Sequence, residues 1–352
     1  MQQNKNENNE NNQNNQNNNQ NENKNDNDKP IEKDNKNKIF LVISILSILI
    51  VGAIITVILI FYDSDKDDEK TENNNELDTI PSEEFERARK SFKQYEYTEE
   101  GSSKILNYNF FIPENITNEQ KYPLILFISD KSLVGKETKA PITETVGGPI
   151  WATDTVQKKH KCFVLVPQYN ESIISSAGNK SEYVYMTLRL ISELEEKYNI
   201  DSNRIYGTGQ SMGAMTTLFL LANNDIFAAG LIADGHWLIE ELYGLSNATF
   251  TFCAAEGDPN PFNSQNEVKE YFDVSNIKYG TLDLINAQDK VEILNEAAQK
   301  MYDLGYKRNF ISYAKGTVLP PNSKNTNEHM ASFKYTYRIE AVRDWLFEQK
   351  KF

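Results

Sequence analysis

Cysteine is scarce in this chain. Two occur among 352 residues, Cys162 and Cys253, too few for a framework of disulfides. Both lie inside apolar runs (162–166 and 250–255) and read as small core residues. Histidine is nearly as rare, with three in the chain. Neither C-x-x-C nor H-E-x-x-H spacing occurs, so the sequence gives no support for a zinc site. Positive charge is also short: 37 basic residues face 51 acidic ones, a net charge of −14. No basic stripe lies beyond the first segment, and no nucleic-acid partner is expected. Internal repeats are absent too, which argues against a solenoid or propeller.

Residues 1–38 are rich in asparagine, and no aromatic residue precedes Phe40. Such a stretch cannot bury enough apolar surface to offset its ordering entropy, so it reads as a disordered tail. A polar tract for self-association is the competing reading. Residues 39–61 are apolar apart from Ser44, Ser47, Gly52 and Thr56. Their length suits one crossing of a hydrocarbon layer of about 30 Å. A cleaved signal peptide would carry a shorter apolar core and a small-residue cleavage site, so a transmembrane helix is expected here. Lys24, Lys29, Lys33, Lys36 and Lys38 precede the run, against Lys66 and Lys70 after it. The positive-inside tendency then keeps the amino terminus in the cytoplasm and places the rest outside or in a lumen. Residues 62–90 read as a charged stalk that turns helical near 82–92.

From residue 91 to 352 the pattern is that of a single α/β domain. Residues 104–111 alternate like a strand, the second arm of an opening hairpin across Glu99-Glu100-Gly101. Buried-strand runs follow at 122–128, 162–167, 204–209, 228–233, 249–255 and 308–314. Helix-length stretches at 182–197, 212–223, 290–304 and 335–349 lie between or after them, while 130–160 and 257–286 read as specificity loops. Strands alternating with helices predict a doubly wound, mostly parallel sheet covered on both faces.

The chain is organised around Gly209-Gln210-Ser211-Met212-Gly213. An apolar strand leads in and an Ala/Leu-rich helix leads out, the strand–turn–helix setting of G-x-S-x-G. The serine must sit in a strained turn, hydroxyl raised above the sheet, and the flanking glycines let strand and helix pass closely. A serine hydroxyl is a poor nucleophile near neutral pH and needs a histidine base oriented by a carboxylate. In this setting the chain order is Ser, acid, His, and only His236 and His329 follow Ser211. His329, in the polar stretch 325–330 before the final helix, is the expected base. Asp258 in Glu256-Gly257-Asp258-Pro259 is the first choice of acid, then Glu256, then Asp234. The Met212 amide should give one oxyanion donor and the loop Ser129–Ser132, near Lys131, the other. His236, Trp237 and Gln210 are expected substrate contacts at the mouth of the sheet. His160, among lysines, reads as solvated surface. The chemistry calls for neither a metal nor an organic cofactor.

These residues carry a resemblance. From about Phe92 to Phe347 the chain resembles secreted or membrane-anchored α/β-hydrolases of the esterase and prolyl-oligopeptidase-like group, including polyhydroxybutyrate-depolymerase-like esterases. The matching segments are 122–127, 162–168, 209–213, 256–259, 315–321, 328–330 and 343–347. The resemblance implies Ser211 as nucleophile and His329 as base, and it is compatible with Asp258 as acid. The sequence departs from the group at two places: Ala214 replaces a second glycine, and Ser129-Asp130 replaces His-Gly. A membrane-anchored carboxylesterase is the expectation, because an exterior part of this length has no room for a propeller gate. A serine peptidase of prolyl-oligopeptidase type is the close rival, since a triad alone does not separate ester from amide. A non-catalytic binding protein on the same fold is the third reading.

Overall fold

The computed structural model describes residues 79–351. The expected tail and membrane span (1–38 and 39–61) lie outside these residues. Among the described residues no helix is long and apolar enough to cross a membrane.

Nine strands form one sheet in the order β1-β2-β4-β3-β5-β6-β7-β9-β8. They are β1 (Lys93–Thr98), β2 (Ile105–Phe111), β3 (Tyr122–Ile128), β4 (Phe163–Gln168), β5 (Ile200–Gln210), β6 (Ala229–Ala233), β7 (Phe250–Ala255), β8 (Gly280–Ile285) and β9 (Arg308–Tyr313). The β1–β2 and β2–β4 pairs are antiparallel. Every later pairing is parallel. Strands β3, β4, β6 and β7 read as continuous apolar runs or nearly so because both of their faces are covered. In β3, Ile125 and Phe127 enter one core while Leu124, Leu126 and Ile128 enter the other.

One face is covered by α2 (Glu182–Lys197), α3 (Met212–Asn223) and α4 (Pro259–Val274). The opposite face is covered by α1 (Ser82–Ser91), α5 (Val291–Tyr302), α6 (Glu328–Arg338) and α7 (Glu340–Glu348). Ten consecutive residues of α3, Met212 to Leu221, are buried, which explains its lack of a polar face.

Four sequence expectations need correction. The stalk does not run to residue 90: Phe85, Ala88 and Phe92, spaced along one face of α1, are buried in the main core with Ile80. Glu84 also accepts the Thr155 N–H at 2.8 Å, so the packed domain begins ahead of residue 91. The segment 257–286 is not a loop but α4 and β8. Pro259 and Pro261 look like helix breakers, yet proline is tolerated in a first turn, where the N–H has no intrahelical partner. The helix expected over 335–349 is two helices, broken at Ile339 with an extended ψ of 112°. The buried Arg343 guanidinium donates to the Tyr337 carbonyl at that break, satisfying a group the helix end would leave bare. His160 is not solvated; its ring stacks on Phe347 at 4.4 Å and Nε2 meets Asp344 at 2.7 Å.

Candidate active site

β5 ends at Gln210 and α3 begins at Met212, so Ser211 alone makes the turn. Its φ of 50° and ψ of −114° lie outside the regions that side-chain-bearing residues favour, a strain of about 1–3 kcal/mol. The turn is held from both sides: the Ser211 N–H donates to the Ala233 carbonyl at 3.0 Å and its own carbonyl accepts from Met215 at 2.8 Å. The two glycines of the motif are required by contact. A Cβ on Gly213 would stand 1.8 Å from the Ile128 carbonyl oxygen, and one on Gly209 would stand 2.4 Å from the Gly213 backbone. Ala214 is accommodated because Gly235 faces it; a Cβ at 235 would come within 2.7 Å of the Ala214 methyl.

His329 is the second residue of α6 rather than part of a free loop. Asn327 caps that helix, its side-chain oxygen accepting the His329 N–H at 3.0 Å. The imidazole sits edge-on to Phe333, ring centroids 5.0 Å apart, and the Ser332 hydroxyl donates to the His329 carbonyl at 2.8 Å. Asp258 follows β7 through a turn closed by its own N–H on the Ala255 carbonyl at 3.0 Å, and α4 starts at the next residue.

These elements bring three distant residues together. His329 Nε2 lies 2.8 Å from Ser211 Oγ, and His329 Nδ1 makes a short hydrogen bond to Asp258 Oδ2. Burial opposes the imidazolium, but the hydrogen bond to Asp258 and its charge, with Asp234 and Asp130 adding, outweigh it and raise the His329 pKa. The geometry lets Nε2 take the Ser211 proton while Asp258 holds Nδ1–H. The other two candidate acids are occupied elsewhere. Glu256 accepts the Lys315 N–H at 2.9 Å. Asp234 is fully buried beneath the site, and its Oδ1 accepts the Ala255 N–H at 2.9 Å.

The remaining expected site residues divide. The Met212 amide sits at the amino end of α3 beside the nucleophile, where helix N–H groups lack intrahelical partners. Lys131 opens a short 3₁₀ turn, Lys131–Leu133, just past β3, and its side chain is exposed. His236 is half-buried at the mouth and meets Ser176 Oγ at 2.9 Å. Burial, and then the nearby His329 charge, lower its pKa. Gln210 and Trp237 lie deeper. Gln210 is 4% exposed and donates to Asp130 at 2.7 Å. Trp237 is equally buried, donates to Glu241 at 3.1 Å and packs on Phe219. Both side chains are thus buried against partners within the protein.

Sequence reasoning gave no role to Glu328. Its buried carboxylate accepts the Gly316 N–H at 2.9 Å and fills the space beside Gly257, which braces the acid turn against the base helix. A charged residue next to the histidine, at a helix start, was the available signal.

Residues 179–307 match the prolyl oligopeptidase family. No curated protein matches the chain's sequence. Among solved structures, the chain resembles a thermostable esterase at 22% identity and a TM-score of 0.59, over 75% of this chain and 64% of that one. The likeness establishes the α/β-hydrolase fold. An acylaminoacyl peptidase from Pyrococcus horikoshii aligns at 16% identity and a TM-score of 0.37, over 74% of this chain and 43% of the peptidase. The feruloyl esterase module from Clostridium thermocellum aligns at 14% identity and a TM-score of 0.41, over 78% and 94%. The chain thus spans less than two thirds of the thermostable esterase and under half of the peptidase.

Proposed function

We propose that the protein is a carboxylesterase anchored in a membrane through residues 39–61, its amino terminus cytoplasmic and its catalytic domain outside or in a lumen. Ser211 Oγ attacks the ester carbonyl as His329 Nε2 takes its proton. The tetrahedral oxyanion is held by the Met212 amide and by an amide of the loop near Lys131, each worth about 3 kcal/mol. The intermediate collapses, the leaving alcohol takes the proton back from His329, and an acyl-serine remains. Water, deprotonated by the same imidazole, then releases the acid and restores Ser211. Asp258 keeps Nδ1 protonated throughout.

The single observation behind this reading is the unbroken Ser211–His329–Asp258 relay, with 2.8 Å between nucleophile and base. The fold likeness to an esterase supports esters as substrates, and His236 with Ser176 offers them polar contacts at the mouth. The family match supports a second reading, a serine peptidase of prolyl-oligopeptidase type.

The test is active-site labelling of the full-length protein with a fluorophosphonate. The probe should attach at Ser211 and fail on Ser211→Ala. His329→Ala should lower p-nitrophenyl ester turnover by about 10⁴-fold or more. No labelling of folded protein would favour the binding-protein reading, and near-normal turnover without His329 would move the base to His236. A matched panel of esters and peptides separates the two enzymatic readings. Protease added outside intact cells should release the domain; full protection would reverse the orientation.

A further inference from the structure

We propose that Asp130 and Gln210 form a positioning pair that fixes the loop after β3 against the nucleophile elbow and so keeps the oxyanion side of the site in place. The proposal rests on the acyl-transfer reading above and deepens it.

The last backbone register between β3 and β5 sets Ile128 beside Gly209. β5 then continues one residue further beside β6, where Gln210 faces Ala233. The strands therefore part company at the carboxyl edge of the sheet, where open α/β folds admit their ligands. Across that opening Gln210 Nε2 donates to Asp130 Oδ2 at 2.7 Å. The other carboxylate oxygen of Asp130 accepts both the Ser132 N–H at 2.9 Å and the Ser132 hydroxyl. Asp130 is 3% exposed and Gln210 is 4% exposed.

A negative charge beside an oxyanion site works against the chemistry unless it serves another purpose. Here three donors occupy the Asp130 carboxylate. Hydrogen bonds to a charged group are stronger than neutral ones, and removing one partner from a buried pair leaves the other unsatisfied. Neither side chain hydrogen-bonds to Ser211 or His329; each acts through its backbone. Gln210 immediately precedes Ser211, and Asp130 immediately precedes Lys131. The side-chain bond thus replaces the backbone pairing that β3 and β5 no longer share, and it sets the distance between the nucleophile and the loop amides. Misplacement by about 1 Å at such a point is felt in the rate by about 100-fold.

The experiment compares full-length wild type, Gln210→Glu, Asp130→Asn and the double variant D130N/Q210E. Readouts are the second-order rate of fluorophosphonate labelling at Ser211 and the kcat and KM for a p-nitrophenyl ester. Q210E sets two carboxylates face to face and should slow labelling and kcat by about 100-fold with KM nearly unchanged. The double variant restores the bond with donor and acceptor exchanged, while the new amide carbonyl at 130 still accepts from Ser132. Its rates should return to within about fivefold of wild type. A kcat loss at constant KM, rescued by the exchange, is not what a purely structural role gives. Wild-type rates in Q210E, or a folded double variant as slow as Q210E, would overturn the pairing. If Q210E does not fold, D130N takes its place: slow labelling that the double variant rescues supports the pair, and a wild-type rate overturns it. A wild type that does not label at all fails differently, by removing the serine-hydrolase mechanism on which the pair depends.

Discussion

Strands β6 and β7 lie side by side in parallel, and each delivers an aspartate at the same edge of the sheet. Asp234 directly follows Ala233, the last residue of β6, and its backbone takes a φ of 50°. It is wholly buried; one oxygen meets the Ala255 N–H, and the other has no hydrogen-bond partner among the described residues. Burial pushes its pKa up to about 7, only partly countered by the nearby Ser332 hydroxyl and the Ala255 N–H, and Asp258 repels it further. Asp258 stands three residues beyond Ala255, on a turn that lifts it over the edge to His329. Two neighbouring carboxyls therefore differ in what they reach because of two extra residues of chain. A triad acid is selected by its reach to the base, since arrival at the correct edge of the sheet is common to both.

The sharpest way to break the comparison is to neutralise each aspartate in turn. Asp258→Asn should lower kcat/KM for a p-nitrophenyl ester by about 10,000-fold, because the amide cannot hold the required imidazole tautomer. Asp234→Asn should stay within about threefold of wild type, because its carboxyl lies outside the proton relay. Equal losses in the two variants would move the acid to Asp234. The glycines flanking the two aspartates extend the contrast. A Cβ at Gly257 would stand 1.8 Å from the Glu328 carboxylate, whereas one at Gly235 would press on the Ala214 and Met215 backbone. Gly235→Ala should thus reduce unfolding free energy by about 1–3 kcal/mol in urea titrations. Gly257→Ala should act mainly on kcat, by about tenfold, because it displaces the side chain that braces the acid turn.

A pH–rate profile sharpens the same distinction. The base must be neutral to accept the Ser211 proton, so kcat/KM should rise with pH through the His329 pKa. In the wild type that inflection should lie above the usual imidazole value, because Asp258 overcomes the burial that lowers the His329 pKa. In D258N burial acts with much less opposition, and the inflection should move to lower pH. An inflection that stays in place would show that Asp258 does not hold the imidazolium.

Much of this site was legible in the sequence. Ser211 announces itself through glycines that the packing requires, and chain order left two histidines for the base. Asp258 stood first among three acids, although nothing in the residue string shows that Glu256 bonds Lys315 or that Asp234 is sealed below. The central strands were readable because both faces are buried, which makes their runs continuous. α4 was hidden by Pro259 and Pro261, whose missing N–H groups do no harm in a first turn. β8 was hidden because it is an edge strand, short and largely exposed, with Gly280 and Asp283 inside it. The bond from Gln210 to Asp130 was hidden because the two are 80 residues apart, and only the fold brings such a pair together.

The smallest effect is also the most specific to Asp234, and its sign can be derived. The folded-state pKa of about 7 exceeds the ordinary carboxyl value of 3.8. As pH rises between these values the unfolded chain has lost the proton that the folded chain keeps, so the unfolded state binds fewer protons and stability falls. The fall levels off above about pH 7, once both states are ionised. His329 adds a decline of the same sign, beginning only above the usual imidazole value, because its folded pKa is raised as well. D234N removes the first slope and leaves the second almost intact. The stability of D234N relative to wild type should therefore increase between pH 5 and pH 8, by on the order of 2 kcal/mol from the linkage slope for one proton. Urea unfolding of both proteins at the two pH values measures it. A difference that stays flat would mean that Asp234 is ionised across the whole range in the folded protein, and its unpartnered oxygen would then need a donor from the solvent side.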